Sequence, residues 1–193
     1  MMRLYRVEAY APRIPGTQNP WPLDMPLDLD RFVRTDRTRI KDWDPRAIVV
    51  YPTVAVPFDY AEVGSRSCPI FSRRMQSFFK THFPQVIQFL PVRLMRDDGD
   101  AEIEGFALGK ILASIDCIDR SHTHVADGLW SLTESSNYKV RGPVVCDGSK
   151  IGRRHFFRVF GASHYVVCTD RFKELLDSQS FIGMRLNEMC PVE

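Results

Sequence analysis

The sequence predicts an α+β fold: one domain over residues 1–193, with an antiparallel or mixed sheet and a few short amphipathic helices packed on it. Three observations predict this. Apolar stretches of strand length recur and are punctuated by proline, glycine and aspartate. Two segments carry helical spacing, and each is only two or three turns long. The chain is 44% apolar and 26% charged over 193 residues, and a chain of that size buries about 70% of its unfolded surface without needing disulfides or metals.

The elements follow in order. Leu4, Tyr5, Val7 and Tyr10 alternate with charge and read as a strand over Arg3 to Tyr10. Residues 1–46 then form a proline- and charge-rich N-terminal segment. Pro12, Pro15, Pro20, Pro22 and Pro26 exclude helix and central strand, because proline fixes φ and removes an amide donor. Trp21, Leu23, Met25 and Leu27 between them suggest packing on the body rather than a free proline-rich ligand. Residues 28 to 46 alternate in charge sign, the pattern of a solvated surface. Ala47-Ile48-Val49-Val50-Tyr51 reads as a strand ended by Pro52.

Ser72 is a good N-cap, and Met75, Phe78, Phe79 and His82 follow it on one helical face until Pro84 stops the helix. Val86 to Leu94 is the next strand, and Pro91 inside it calls for an edge position or a bulge. Asp97-Asp98-Gly99-Asp100 is turn chemistry, which predicts a hairpin returning through Phe106 to Ile115. Gly148 to Gly152 is a turn leading into a strand from His155 to Phe160. Tyr165 to Cys168 is a strand, Thr169 or Asp170 a cap, and Phe172, Leu175 and Leu176 the apolar face of a second helix. Met75, Phe78, Phe79, Phe172, Leu175 and Leu176 are therefore expected in the core.

Ile70 to Phe79 aligns without a gap on Val167 to Leu176: aliphatic, any, Ser/Thr, any, Arg, apolar, two polar, two apolar. Each copy then runs to a strand ending Arg-Leu, at Arg93-Leu94 and at Arg185-Leu186. Internal duplication explains this, and so do two helices obeying the same capping and amphipathic rules.

Charge and motifs exclude more than they assign. Lys+Arg is 26 and Asp+Glu is 24, spread evenly, so no basic segment points to nucleic acid. No run of 18 uncharged apolar residues occurs, which excludes a spanning helix. Arg6 and Glu8 stand where a signal peptide needs its apolar stretch, so a cytoplasmic protein is expected. Cys68, Cys117, Cys146, Cys168 and Cys190 lack any CxxC and read as free buried thiols. No Walker, GxGxxG or GxSxG pattern is present. His122 and His124 form an HxH, but no second ligand pair of the right kind lies near in sequence, so no metal or other cofactor is expected.

Two carboxylate clusters remain. Asp116 and Asp119 lie close to His122 and His124, the one place where acid–base groups crowd together, and would serve a small enzyme or ligand-binding domain. Asp97, Asp98, Asp100, Glu102 and Glu104 sit on and after a glycine-containing turn. They read as solvated surface or as an acidic contact for a basic partner, whose encounter such charge would speed.

Several stretches together resemble a bacterial immunity-protein family, first catalogued as a domain of unknown function, tied to polymorphic toxin systems and with a myxobacterial type member. They are Pro69-Ile70-Phe71-Ser72-Arg73-Arg74-Met75, Val86-Ile87-Gln88-Phe89-Leu90-Pro91-Val92, Ile115-Asp116-Cys117-Ile118-Asp119-Arg120-Ser121, Phe156-Phe157-Arg158-Val159 and Val166 to Lys173. The likeness covers residues 47–189. It implies a non-enzymatic α+β protein that binds and neutralises a cognate toxin, the product of an adjacent gene. The shared residues are strand, cap and core positions, so they carry over no catalytic residues.

Overall fold

The apolar alternation read above resolves into strands in the computed structural model, which describes residues 2–10, 38–44, 48–51, 58–63, 68–96, 102–125 and 140–189. The strands are β1 (Leu4–Ala9), β2 (Ile48–Tyr51), β3 (Tyr60–Val63), β4 (Cys68–Phe71), β5 (Ile87–Arg96), β6 (Glu102–Ile111), β7 (Ser114–Ile115), β8 (His124–Val125), β9 (Val140–Arg141), β10 (Phe156–Val159), β11 (Ala162–Thr169) and β12 (Met184–Glu188). Two helices, α1 (Arg73–His82) and α2 (Asp170–Asp177), complete the described elements with a 3₁₀ turn at Gly148–Lys150. One sheet has the order β12-β1-β11-β10-β7, a second β2-β5-β6-β4-β3, and β8 pairs with β9 alone. β2 runs parallel to β5 and β7 parallel to β10, so both larger sheets are mixed and the class is α+β. The proline-rich stretch and the Asp97–Asp100 turn lie outside the described residues.

The chain gathers into two compact units, one made of Met1–Glu8, Ala113–Gln179 and Leu186–Glu193, the other of Ala9–Leu112 and Ser180–Arg185. In the second unit, the Ser72 hydroxyl accepts the Met75 amide at 3.2 Å and starts α1. Met75, Phe78 and Phe79 are buried on one face of the helix, each contributing about 1.5–3 kcal/mol relative to exposure. They meet a sheet face where Phe71 stands edge-on to Tyr60, Phe79 and Phe89 at centroid distances of 5.4–5.6 Å. Gly109 admits that ring, because a Cβ there would lie 2.1 Å from Phe71 Cε2. On the opposite face Leu90, Val92 and Leu94 join Val49, Ala61, Cys68, Ile70 and Leu108 in a separate core. Among the described residues no strand pairs with Pro91 on its outer side, since the described part of β2 starts pairing at Arg93, and the Pro91 carbonyl accepts the Trp43 indole N–H at 2.7 Å.

The first unit buries Leu4, Phe157, Val159 and Val167 against Ile115, Cys117, Ile118, Cys146 and Ile151. Phe156 tilts against Phe172 of α2 at 5.0 Å on the other face of its sheet. Cys68, Cys117, Cys146 and Cys168 are buried thiols, as read from the sequence, Cys190 lies outside the described residues, and the Cys117 and Cys146 sulfurs lie 3.5 Å apart.

Two expectations need correction. The strand after the acidic turn ends at Ile111, and Ser114–Ile115 instead pairs in parallel with β10, taken there by bonds from the Arg158 and Phe160 amides to the Ala113 and Ile115 carbonyls. Leu175 is half-buried, because Phe172 and Leu176, one turn apart, form the centre of the α2 face and Leu175 sits at its rim.

The two aligned segments occupy the same structural place. Each larger sheet takes in a hairpin, a helix and a returning strand, β3-β4-α1-β5 in one and β10-β11-α2-β12 in the other, with a further strand inserted between the last strand and the strand before the helix. The inserted strand is β6 in one and β1 in the other. The cap amides of Ser72 and Thr169 donate to the carbonyls of Asp59 and His155, the residues just before each hairpin. Their side chains also meet: Ser72 Oγ donates to Asp59 Oδ1 at 2.7 Å, and Thr169 Oγ1 lies 2.9 Å from His155 Nδ1. This correspondence extends past what shared capping rules require. The copies differ by a circular permutation, since β6 follows β5 directly while β1 precedes everything else.

Candidate partner interface

The second unit's hairpin carries the acidic residues singled out from the sequence. Asp97, Asp98 and Asp100 lie outside the described residues; Glu102 and Glu104 open β6 and are exposed. Arg93 grips Glu102 bidentately, Nε to Oε1 at 2.7 Å and Nη2 to Oε2 at 2.5 Å. That bond holds the Glu102 carboxyl below its ordinary range and raises the guanidinium in turn. Glu104 makes no ion pair among the described residues. The turn is thus less acidic than its sequence, because one of its carboxylates is already neutralised from the neighbouring strand.

A bulge shapes the surface beside these residues. Val92 pairs with Phe106 and Leu94 with Ile103, so Glu104 and Gly105 together oppose Arg93. Gly105 has φ +87°, the left-handed region that favours glycine. Its carbonyl accepts the Gln76 side-chain amide at 2.9 Å, and the same amide donates to the Phe71 carbonyl at 3.1 Å. Arg73 lies over the glycine, its Nε 3.2 Å from where a Cβ would stand. The result is a groove of about 450 Å³ with Arg73, Gln76, Arg93, Glu102, Glu104 and Phe106 on its walls. Arg73, Gln76 and Arg93 were not singled out from the sequence; the isolated Gly105 within a strand pattern is the signal for the bulge that assembles them.

The first unit holds a groove of about 360 Å³ where the Arg6 guanidinium lies 4.4 Å from the Tyr165 ring, and Glu8 accepts from Asn187 at 2.7 Å. Both grooves are lined by described residues throughout, and neither includes Asp116, Asp119, His122 or His124.

Those four residues are only partly brought together. Asp119 Oδ1 accepts the Ser121 amide at 2.9 Å and the Ser121 hydroxyl at 2.5 Å, while Oδ2 lies 2.7 Å from His122 Nδ1. These bonds, from Ser121 first and then His122, hold the Asp119 carboxyl far below its ordinary range. Asp116 turns to Arg120 at 3.3 Å, and His124 lies in the β8–β9 ribbon opposite Arg141. A serine, histidine and aspartate do meet here, but Ser121 Oγ and Asp119 both sit on the same ring nitrogen, the serine at 3.0 Å. A relay needs them on opposite nitrogens. The arrangement is that of an aspartate closing a turn. Among the described residues no cluster of three or more His, Cys, Asp or Glu is placed to hold a metal ion.

The family profile of an immunity protein family, Imm11, matches residues 12–190. The chain belongs to the Imm11 immunity protein family. No individual curated protein matches it. In this Imm11 protein the match runs through residues of both units and takes in the hairpin, the bulge and the 450 Å³ groove. Family membership points to a toxin-neutralising, immunity function and to a toxin as partner.

Proposed function

We propose that this Imm11 protein is a non-enzymatic immunity protein that binds a cognate toxin, encoded by an adjacent gene of a polymorphic toxin system, and neutralises it in the bacterial cytoplasm. The observation that carries this is the family match over residues 12–190. Because that match spans residues of both units, we treat them as parts of one immunity domain. No helix among the described residues is long and apolar enough to cross a membrane. An inhibitor needs about 800 Å² of complementary surface rather than reactive groups, and needs no cofactor. The contact surface we assign is the acidic turn, Asp97, Asp98, Asp100, Glu102 and Glu104, where Glu104 and the groove offer charge and shape to a basic partner. Nucleic acid and membrane have no part in this reading.

Co-expression with the neighbouring toxin gene tests it. Growth should be restored and the two products should co-purify. A neighbour that is harmless alone, or that fails to bind, refutes the reading.

A further inference from the structure

We propose that the toxin presents an extended segment that adds to the second unit's sheet as a strand along the open edge of β6 at Glu102–Glu104, with side chains entering the groove beneath Arg73. This rests on the immunity reading and specifies how the partner is held.

The edge is open for a topological reason. β4 pairs with β6 only through Ile70↔Leu108 and Phe71↔Ala107, then leaves at Ser72 into α1. β5 occupies the other side of β6, with Leu94↔Ile103 and Met95↔Glu102. Among the described residues no strand lies along β6 before Ala107 on the β4 side. Gln76 takes the Gly105 carbonyl at 2.9 Å, which closes the edge at the bulge and leaves the backbone from Glu102 to Glu104 as its accessible part. Ile103 there is 40% exposed, one of three large apolar side chains so exposed among the described residues. An exposed edge recognises extended peptide through main-chain hydrogen bonds, and adjacent pockets add selectivity. Here the pocket is the 450 Å³ groove.

Charge chooses the occupant. Arg73 and Glu104 both line the groove, and neither makes an ion pair among the described residues. A second copy of this chain is a poor occupant: antiparallel pairing about Ile103 would set each Glu104 against a Glu102 that its own Arg93 already holds, so Glu104 would face another carboxylate and gain no cation. The same charges and the bulge protect the edge from self-association. A segment with a cation opposite Glu104 and a backbone carbonyl near Arg73 satisfies both groups, which selects a different protein that is basic at that position.

The test uses the full chain and a non-toxic variant of the neighbouring toxin gene product, compared by amide hydrogen exchange with and without that toxin. Exchange over residues 102–106 should slow at least tenfold in the complex. Glu104→Lys and Arg73→Glu should each weaken binding about tenfold while melting with the parent. Binding by the parent with unchanged exchange at 102–106 overturns the edge proposal and leaves the immunity reading standing. Protection of 102–106 that grows with protein concentration in the absence of toxin overturns it in favour of self-pairing. No binding by the parent overturns the immunity reading itself, and the edge proposal with it.

Discussion

Replacing Asp59 with alanine should destabilise the second unit by about 2–5 kcal/mol, summed as follows from its bonds. Asp59 is 7% exposed and accepts from Ser72 Oγ at 2.7 Å, from Arg74 Nε at 3.2 Å and Nη2 at 2.5 Å, and from the Ile182 amide at 3.0 Å. Without the carboxylate the Ile182 amide loses its acceptor, a cost of about 1–3 kcal/mol, and the Ser72 hydroxyl loses about 1 kcal/mol. Arg74 is half in solvent, with 53% of its side chain exposed, so its pair contributes only about 0–1 kcal/mol. At about 2–4 °C per kcal/mol for a chain of this size, Tm should fall by roughly 4–20 °C. Asp59→Asn keeps an acceptor for the Ile182 amide and should lose about half as much.

The pH dependence carries the sign. Burial alone would raise the Asp59 carboxyl, but bonds from Arg74, Ser72 and the Ile182 amide, with the Arg74 charge, outweigh it and hold the carboxyl below its ordinary range. A depressed carboxylate stabilises the fold fully above its unfolded pKa of about 4 and loses that contribution as pH falls through the folded value. The gap between parent and Asp59→Ala, followed by circular dichroism melts, should therefore be constant from pH 5 to 8 and narrow below about pH 4. A variant melting within 2 °C of the parent at pH 7, or a gap that widens in acid, refutes this account of how the Ser180–Arg185 segment is held on Asp59.

Further outcomes are expected elsewhere. Gly109→Ala drives a methyl to 2.1 Å from Phe71 Cε2 and should cost about 1–3 kcal/mol or more in urea unfolding. Gly152→Ala meets no atom within 4 Å and should lose only about 1–2 kcal/mol to its left-handed backbone, so the reverse ranking would contradict the packing. Asp119→Asn should leave toxin protection intact in the co-expression assay, whereas loss of protection without loss of folding would restore a chemical role for that turn. The Cys146 thiol is pushed up by its Cys117 neighbour and by burial, and Cys168 by burial. Because all four described thiols are buried, a thiol reagent at pH 8 should reach Cys68, Cys117, Cys146 and Cys168 only as the chain unfolds in guanidinium, and rapid native labelling of any of the four would show that the cores open.

What proved legible in the sequence was local. The Ser72 and Thr169 boundaries follow from capping and 3.6-residue periodicity, which a few neighbouring residues determine. Thr169 held its position even though its hydroxyl turns to His155 and makes no side-chain bond to its own helix. Partner choice was not legible, because the residues that decide it are distant: nothing near Ser114 announces a parallel neighbour forty residues on, and nothing near Leu4 announces β11. Lys110 and Arg158 are buried, against the strong tendency of charged side chains to stay in water, so alternation alone misplaces them. The candidate interface was legible as charge and hidden as geometry. Glu102 and Glu104 could be read off, but not that Arg93 neutralises one of them, nor that a bulge at Gly105 draws Arg73 and Gln76 alongside the other. In the Asp116–His124 cluster proximity along the chain became only partial contact: among the described residues Asp119 meets His122, while Asp116 turns to Arg120.

The permuted position of β1 sets a schedule for synthesis. Every strand of the second unit's sheet comes from a continuous stretch ending at Ile111, so its partners emerge from the ribosome one after another and can pair as they appear. β1 is made before any of them, yet Leu4 pairs with Thr169 and its carbonyl accepts the Met189 amide. For most of translation that strand, with its apolar Leu4, Tyr5 and Val7, has no place to go. Contacts of such long sequence separation form late, and an unpaired apolar strand is what chaperones and aggregates recognise. A nascent chain stalled before Thr169 would carry a paired middle sheet that still lacks its Ser180–Arg185 segment, and an orphaned beginning, so protection against a toxin would depend on completing the chain as well as starting it.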